Sequence, residues 1–107
     1  MPELPEVETI VRRMRPEIVG RKITAADLRW ERTLATPEPA LFNKNIVGQL
    51  VESVNRRAKY IVIQLSLDTL IIHLRMSGDI LFRDGDAPIE KHDRLLLQLD
   101  DEKILAF

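Results

Sequence analysis

The sequence predicts an α+β fold, mainly β: a two-layer β-sandwich or flattened barrel carrying a long N-terminal helix and room for one further short helix. Three observations carry this. Apolar residues recur at three- and four-residue steps only near the N-terminus. From residue 21 onward the pattern is mostly that of short strands punctuated by Gly, Pro and Asp. At 107 residues, with 45% apolar content, the chain holds one domain at most, with enough apolar surface for a single core.

The helix is expected over residues 5–19, where Val7, Ile10, Val11, Met14 and Ile18 line one face. Pro5 suits a first turn, whose N–H groups have no partner. Glu6 and Glu8 sit at the positive end of the helix dipole and Arg12, Arg13 and Arg15 towards the negative end. Pro16 predicts a kink or an early tight turn, and Gly20 a stop. "RKITAADLRWER" reads as a strand with a wobble in its alternation. "TPEPALFNKNIVG" leaves space for a short helix before Gly48.

"LVESVNRRAKYIVIQL" holds two strands or one long bent strand, with Ile61, Ile63 and Leu65 on one face. "LIIHLRM" puts Leu70, Ile72, Leu74 and Met76 on one side, with Ile71, His73 and Arg75 on the other. "SGD" (77–79) and "RDGDAP" (83–88) are turn signals, and "RLLLQL" with "KILAF" forms a hairpin across Asp100–Glu102. Six to eight short strands result. The chain stops inside an apolar strand, which reads as a piece of a larger protein.

Seventeen acids against sixteen bases give a formal charge of −1, so binding to an anionic partner requires a local cationic patch. The absence of cysteine excludes a disulfide scaffold and a Cys-ligated zinc within the sequence, and fits a reducing, cytoplasmic setting. No run approaches the ~20 apolar residues of a membrane span, and the acidic N-terminus is unlike a signal peptide.

Two constellations carry chemistry. In "MPELPEVETI", removal of Met1, which the small Pro2 permits, leaves a secondary amine that titrates near ~8 and can form a cationic iminium with a sugar carbon. Glu3 is adjacent and Glu6 one helical turn on, so both could serve the same reacting centre. "PELPE" is equally a helix N-terminus with proline and acids in capping positions. With Met1 retained, the nitrogen of Pro2 is a tertiary amide without nucleophilicity, and such a chain is expected to be inactive. In the second constellation, Arg56, Arg57 and Lys59 of "NRRAKY" and His73 and Arg75 of "HLRMSG" form a phosphate-binding strip if their strands pair. The same residues could be a charge-guarded strand edge. Met76 is either core or an exposed apolar tip.

"MPELPEVETI", "VG" at 19–20, "RRAKY" and "HLRMSG", in this order and spacing, resemble the N-terminal domain of bacterial formamidopyrimidine-DNA glycosylase through essentially the whole chain. The related endonuclease VIII branch more often has glycine where Leu4 stands. The resemblance implies that residues 1–107 are the N-terminal catalytic domain of a base-excision repair enzyme. Such an enzyme removes 8-oxoguanine and formamidopyrimidines and then nicks the abasic strand by β,δ-elimination. It implies Pro2 as nucleophile at C1′, Glu3 as general acid at the ring oxygen, and Glu6 in support. Lys59 contacts the phosphate beside the lesion, Arg57 and His73 contact the DNA backbone, and Met76 fills the gap left by the flipped nucleotide. Arg56 and Arg75 receive no role.

The implied partner is double-stranded DNA with oxidised purines or abasic sites, met by a monomer in the bacterial cytoplasm at the nucleoid, with no membrane involved. The family's helix-two-turns-helix module and four-cysteine zinc finger are absent from this sequence. No cofactor is therefore expected in the chain, and the fragment alone is expected to be inactive. The alternatives are an N-terminal-proline tautomerase and a non-catalytic DNA-binding or interaction module of the same fold.

Overall fold

The computed structural model describes residues 4–29, 39–74 and 79–107, which form two helices and seven strands: α1 (Leu4–Ile18), β1 (Ile23–Leu28), α2 (Pro39–Ile46), β2 (Val51–Arg57), β3 (Tyr60–Leu65), β4 (Thr69–His73), β5 (Leu81–Asp84), β6 (Leu95–Leu99) and β7 (Lys103–Ala106). This is the mainly-β class expected, with two antiparallel sheets. Where one globular unit was expected, the chain divides into two compact units. One is formed by residues 1–21 and 50–79 and the other by residues 22–49 and 80–107. Among the described residues no helix is long and apolar enough to cross a membrane.

In the first unit α1 lies against β2 and β3 of the antiparallel sheet β2-β3-β4. Val7, Val11, Met14 and Ile18, spaced as one helix face, are buried with Val54, Ile61, Ile63, Leu65 and Ile72. Ile61 and Ile63 face the core while Tyr60, Val62 and Gln64 alternate to the other face, partly or well exposed. β2 breaks this rule because its register shifts between Val51 and Ser53, which lets Val51 and Val54, three apart, both point inward. The helix also closes the outer edge of β2. The Arg15 Nε donates to the carbonyl of Val54 at 2.7 Å, and a second guanidinium nitrogen donates to Asn55 Oδ1 at 3.1 Å.

The helix continues through Pro16 to Ile18, so the early tight turn expected there does not form. Proline stands in the last turn, where only one ladder bond is lost and Val19 N–H still bonds the Arg15 carbonyl at 3.1 Å. Gly20, at φ +86°, then turns the chain, and its N–H donates to the carbonyl of Val51.

The second unit holds the sheet β1-β6-β7-β5, with α2 against β1. Its central strand β6 is buried at Leu95, Leu96 and Leu97 in succession, the mark of a strand covered on both faces. The wobble expected in β1 is a register shift between Ile23 and Ala25. The "DGD" turn follows β5, and a Cβ on Gly85 would strike the carbonyl of Glu102. The turn signal at Arg83 belongs to β5 itself, whose guanidinium grips Asp93 through two bonds of 2.6 and 2.7 Å and Glu90 through a third of 3.1 Å. Asp93 also accepts the N–H of Glu90 at 2.7 Å, so the loop before β6 is folded around this carboxylate.

Candidate functional site

The site grows from the β2–β3 connection. Residues 50–65 form two strands rather than one bent strand, closed by Ala58 and Lys59 alone between the paired residues Arg57 and Tyr60. So short a loop demands positive φ, which asparagine and glycine supply most readily. Here Ala58 adopts φ +53° at a cost of about 1–2 kcal/mol. Its carbonyl accepts a 2.9 Å bond from Arg56, which helps hold the turn. Lys59 follows, half-buried at the hairpin tip.

Register then places three side chains in one lateral row. Arg57 pairs with Tyr60, and Tyr60 pairs with His73 of β4, so the three share the sheet face opposite the core. The Tyr60 and His73 rings meet with centroids 4.9 Å apart, tilted by 35°. The next row on this face is Asn55, Val62 and Ile71, the last 59% exposed. The face thus joins cationic and aromatic groups to an apolar surface. Among the described residues neither Arg57 nor Lys59 is engaged by a carboxylate.

Arg56 points the other way, sharing the inner face with its partner Ile61. Its Nε meets Glu8 of α1 at 2.9 Å, and the other oxygen of Glu8 takes a 3.3 Å bond from Arg12. The hydrogen bond from Arg56 holds the Glu8 carboxyl below the usual carboxylate range; partial burial opposes this and Arg12 reinforces it. Glu6 is exposed in the first turn of α1, where Thr9 bonds back to the Pro5 carbonyl at 2.9 Å.

Of the residues singled out from sequence, the structure brings Arg57, Lys59 and His73 to one end of one sheet and turns Arg56 away. Pro2, Glu3, Arg75 and Met76 lie outside the described residues. Tyr60 went unassigned, although its position inside "RRAKY" and its bulk on a polar strand face were legible signals. A second concentration of cations was also missed. In the other unit Arg29, Lys91, His92 and Arg94 line a cleft of about 360 Å³ beside Asp93. The carboxylate of Asp93 is taken by Arg83. Among the described residues no group of three or more His, Asp or Glu is placed to hold a metal ion.

Sequence and backbone both resemble those of known proteins. The family model described as formamidopyrimidine-DNA glycosylase N-terminal domain matches residues 1–107. A formamidopyrimidine-DNA glycosylase of Desulforamulus reducens is 44% identical over all of this chain and 39% of its own length. One of Herpetosiphon aurantiacus is 42% identical over all of the chain and 40% of its own length. Among solved structures, the Lactococcus lactis formamidopyrimidine-DNA glycosylase bound non-covalently to AP-site DNA superposes with a TM-score of 0.91. It is 36% identical, over 98% of this chain and 40% of that one. The same enzyme with N7-benzyl-Fapy-dG-containing DNA gives 0.91 at 37% identity, over 98% of this chain and 39% of that one. The chain spans about two fifths of the length of the relatives it matches. Sequence and backbone agree: this chain belongs to the formamidopyrimidine-DNA glycosylase N-terminal domain family.

Proposed function

We propose that the chain is the part of a base-excision DNA-repair enzyme that carries the nucleophile, and that the whole protein removes oxidised purines and then nicks the abasic strand. The observation that carries this is the row Arg57–Tyr60–His73 beside Lys59, a cationic strip on a chain of nearly balanced charge. Its geometry suits a phosphate backbone, because phosphate contacts position a duplex without reading its sequence. The relatives' names, and their complexes with AP-site and Fapy-dG DNA, support the same substrate class.

In this reading the amine of Pro2 attacks C1′ as the C1′–N bond to the damaged base breaks, and the amine's proton passes to the departing base. The nitrogen lone pair then forms the iminium as C1′ parts from the ring oxygen, to which Glu3 delivers a proton. The iminium acidifies C2′–H; the Glu3 carboxylate, having given up its proton, takes the C2′ proton as the 3′-phosphate leaves, and loss of the C4′ proton to solvent then expels the 5′-phosphate by δ-elimination. Glu6 supports the helix start, Lys59 holds the neighbouring phosphate, and Arg57 and His73 hold the backbone. Met76 fills the space left by the flipped nucleotide. The work belongs in the bacterial cytoplasm, at the nucleoid, and is done by a monomer. A zinc finger, if joined to this domain, draws no ligand from this chain, which has no cysteine.

Borohydride trapping on abasic-site duplex at low salt tests this, using protein whose first residue is shown by mass spectrometry to be Pro2. The expected result is a covalent adduct that disappears on Pro2→Gly or with Met1 retained. Salt-sensitive binding with no adduct would instead make the chain a non-catalytic DNA-binding module.

A further inference from the structure

We infer that Arg56 is a positioning residue for Lys59, acting from Glu8 through the carbonyl of Ala58; the inference rests on the role proposed above for Lys59. Three contacts form a continuous path. Arg12 and Arg56 hold the two oxygens of Glu8, at 3.3 and 2.9 Å, and Arg56 spans from that carboxylate to the Ala58 carbonyl at 2.9 Å. Ala58 immediately precedes Lys59 and stands in the left-handed region, which an alanine leaves readily unless its peptide is held. Glu8 stands two residues beyond Glu6 on the helix that leads back to the N-terminus. The bridge therefore ties the start of the lysine stem to the helix that follows the proposed nucleophile in sequence.

Lysine is a point charge on four rotatable carbons, and its reach is decided by where its backbone is anchored. The adjacent arginines of "RRAK" divide the work. Arg57 stands on the outer face with no carboxylate partner among the described residues, whereas Arg56 is consumed by Glu8 and Ala58. A cation already shared between a carboxylate and a carbonyl adds no counterion release when a phosphate arrives.

Single-turnover trapping at saturating abasic-site duplex, with a salt titration of binding, separates the two roles. With the protein beginning at Pro2, Arg56→Ala should slow adduct formation about tenfold and leave the slope of log K against log salt unchanged. Arg57→Ala should reduce that slope by about one, the release expected for one phosphate contact. Glu8→Ala should slow the adduct severalfold, and the double variant should be no slower than Arg56→Ala, because both remove one bridge. Glu8→Gln keeps an acceptor without charge; its slowing should be smaller, and it serves if Arg56→Ala does not fold. A reduced salt slope in Arg56→Ala, or an unchanged rate at saturation, overturns the inference. If the unaltered protein forms no adduct, or Lys59→Ala forms it at the normal rate, the reading of the site fails and the inference fails with it.

Discussion

The two units differ in how deeply their best-bonded ion pairs are buried. In the unit of residues 22–49 and 80–107, the Arg83 and Asp93 side chains are 14% and 5% exposed and meet through two short bonds, at the root of a loop that leads into a strand buried on both faces. In the unit of residues 1–21 and 50–79, the sheet is buried on one face only, and its ion pairs lie at the rim, with Arg12 73% exposed. The contrast teaches where charge serves folding and where it is left for a partner. A nearly buried pair is costly to break, since removing one member strands the other away from water. A rim pair contributes little to stability, and its consequence is chiefly which groups it orients.

Substitutions in each unit test this contrast. The largest loss should follow Met14→Ala, which empties a fully buried position between α1 and its sheet and should cost about 4 kcal/mol in urea unfolding. Asp93→Ala should cost about 3 kcal/mol, by leaving the nearly buried Arg83 with only the exposed Glu90 of the two carboxylates it grips. If the units are energetically independent, each substitution should move only one of two unfolding transitions; a single shared transition would show that they melt together. Acid should act through the same carboxylate. The bonds from Arg83 hold Asp93 below the usual carboxylate range, and the Glu90 N–H assists while burial opposes. The stabilisation is therefore present above the unfolded value of about 4 and is lost as pH falls through the lowered folded value. An Asp93→Asn variant should show a flatter acid limb in stability against pH. The smallest effect should be that of Arg12→Ala, whose exposed i,i+4 pair with Glu8 should leave the unfolding midpoint within measurement error.

Local pattern made much of this protein legible. The stripe Val7, Val11, Met14 and Ile18 needs only helical periodicity, and Gly20 and the Asp100–Glu102 turn need only backbone chemistry. The order of "MPELPEVETI", "RRAKY" and "HLRMSG" led to the family that the comparisons then showed. The resemblance gave Arg57 a role and Arg56 none, without a physical reason, and left Tyr60 unassigned. Adjacent strand residues face opposite sides, so pairing register put Arg57 with Tyr60 and His73 and sent Arg56 to Glu8. Register likewise converted two irregular alternations into shifts at Val51–Ser53 and Ile23–Ala25. Arg83 read as part of a turn and Asp93 was not singled out; only the tertiary contact between β5 and the segment before β6 brings them together. The residues themselves determined which segments could be helix or strand and which chemistry was available. Tertiary structure alone decided which charges meet, because lateral neighbours in a sheet and partners across a helix are separated in sequence by lengths that no local period encodes.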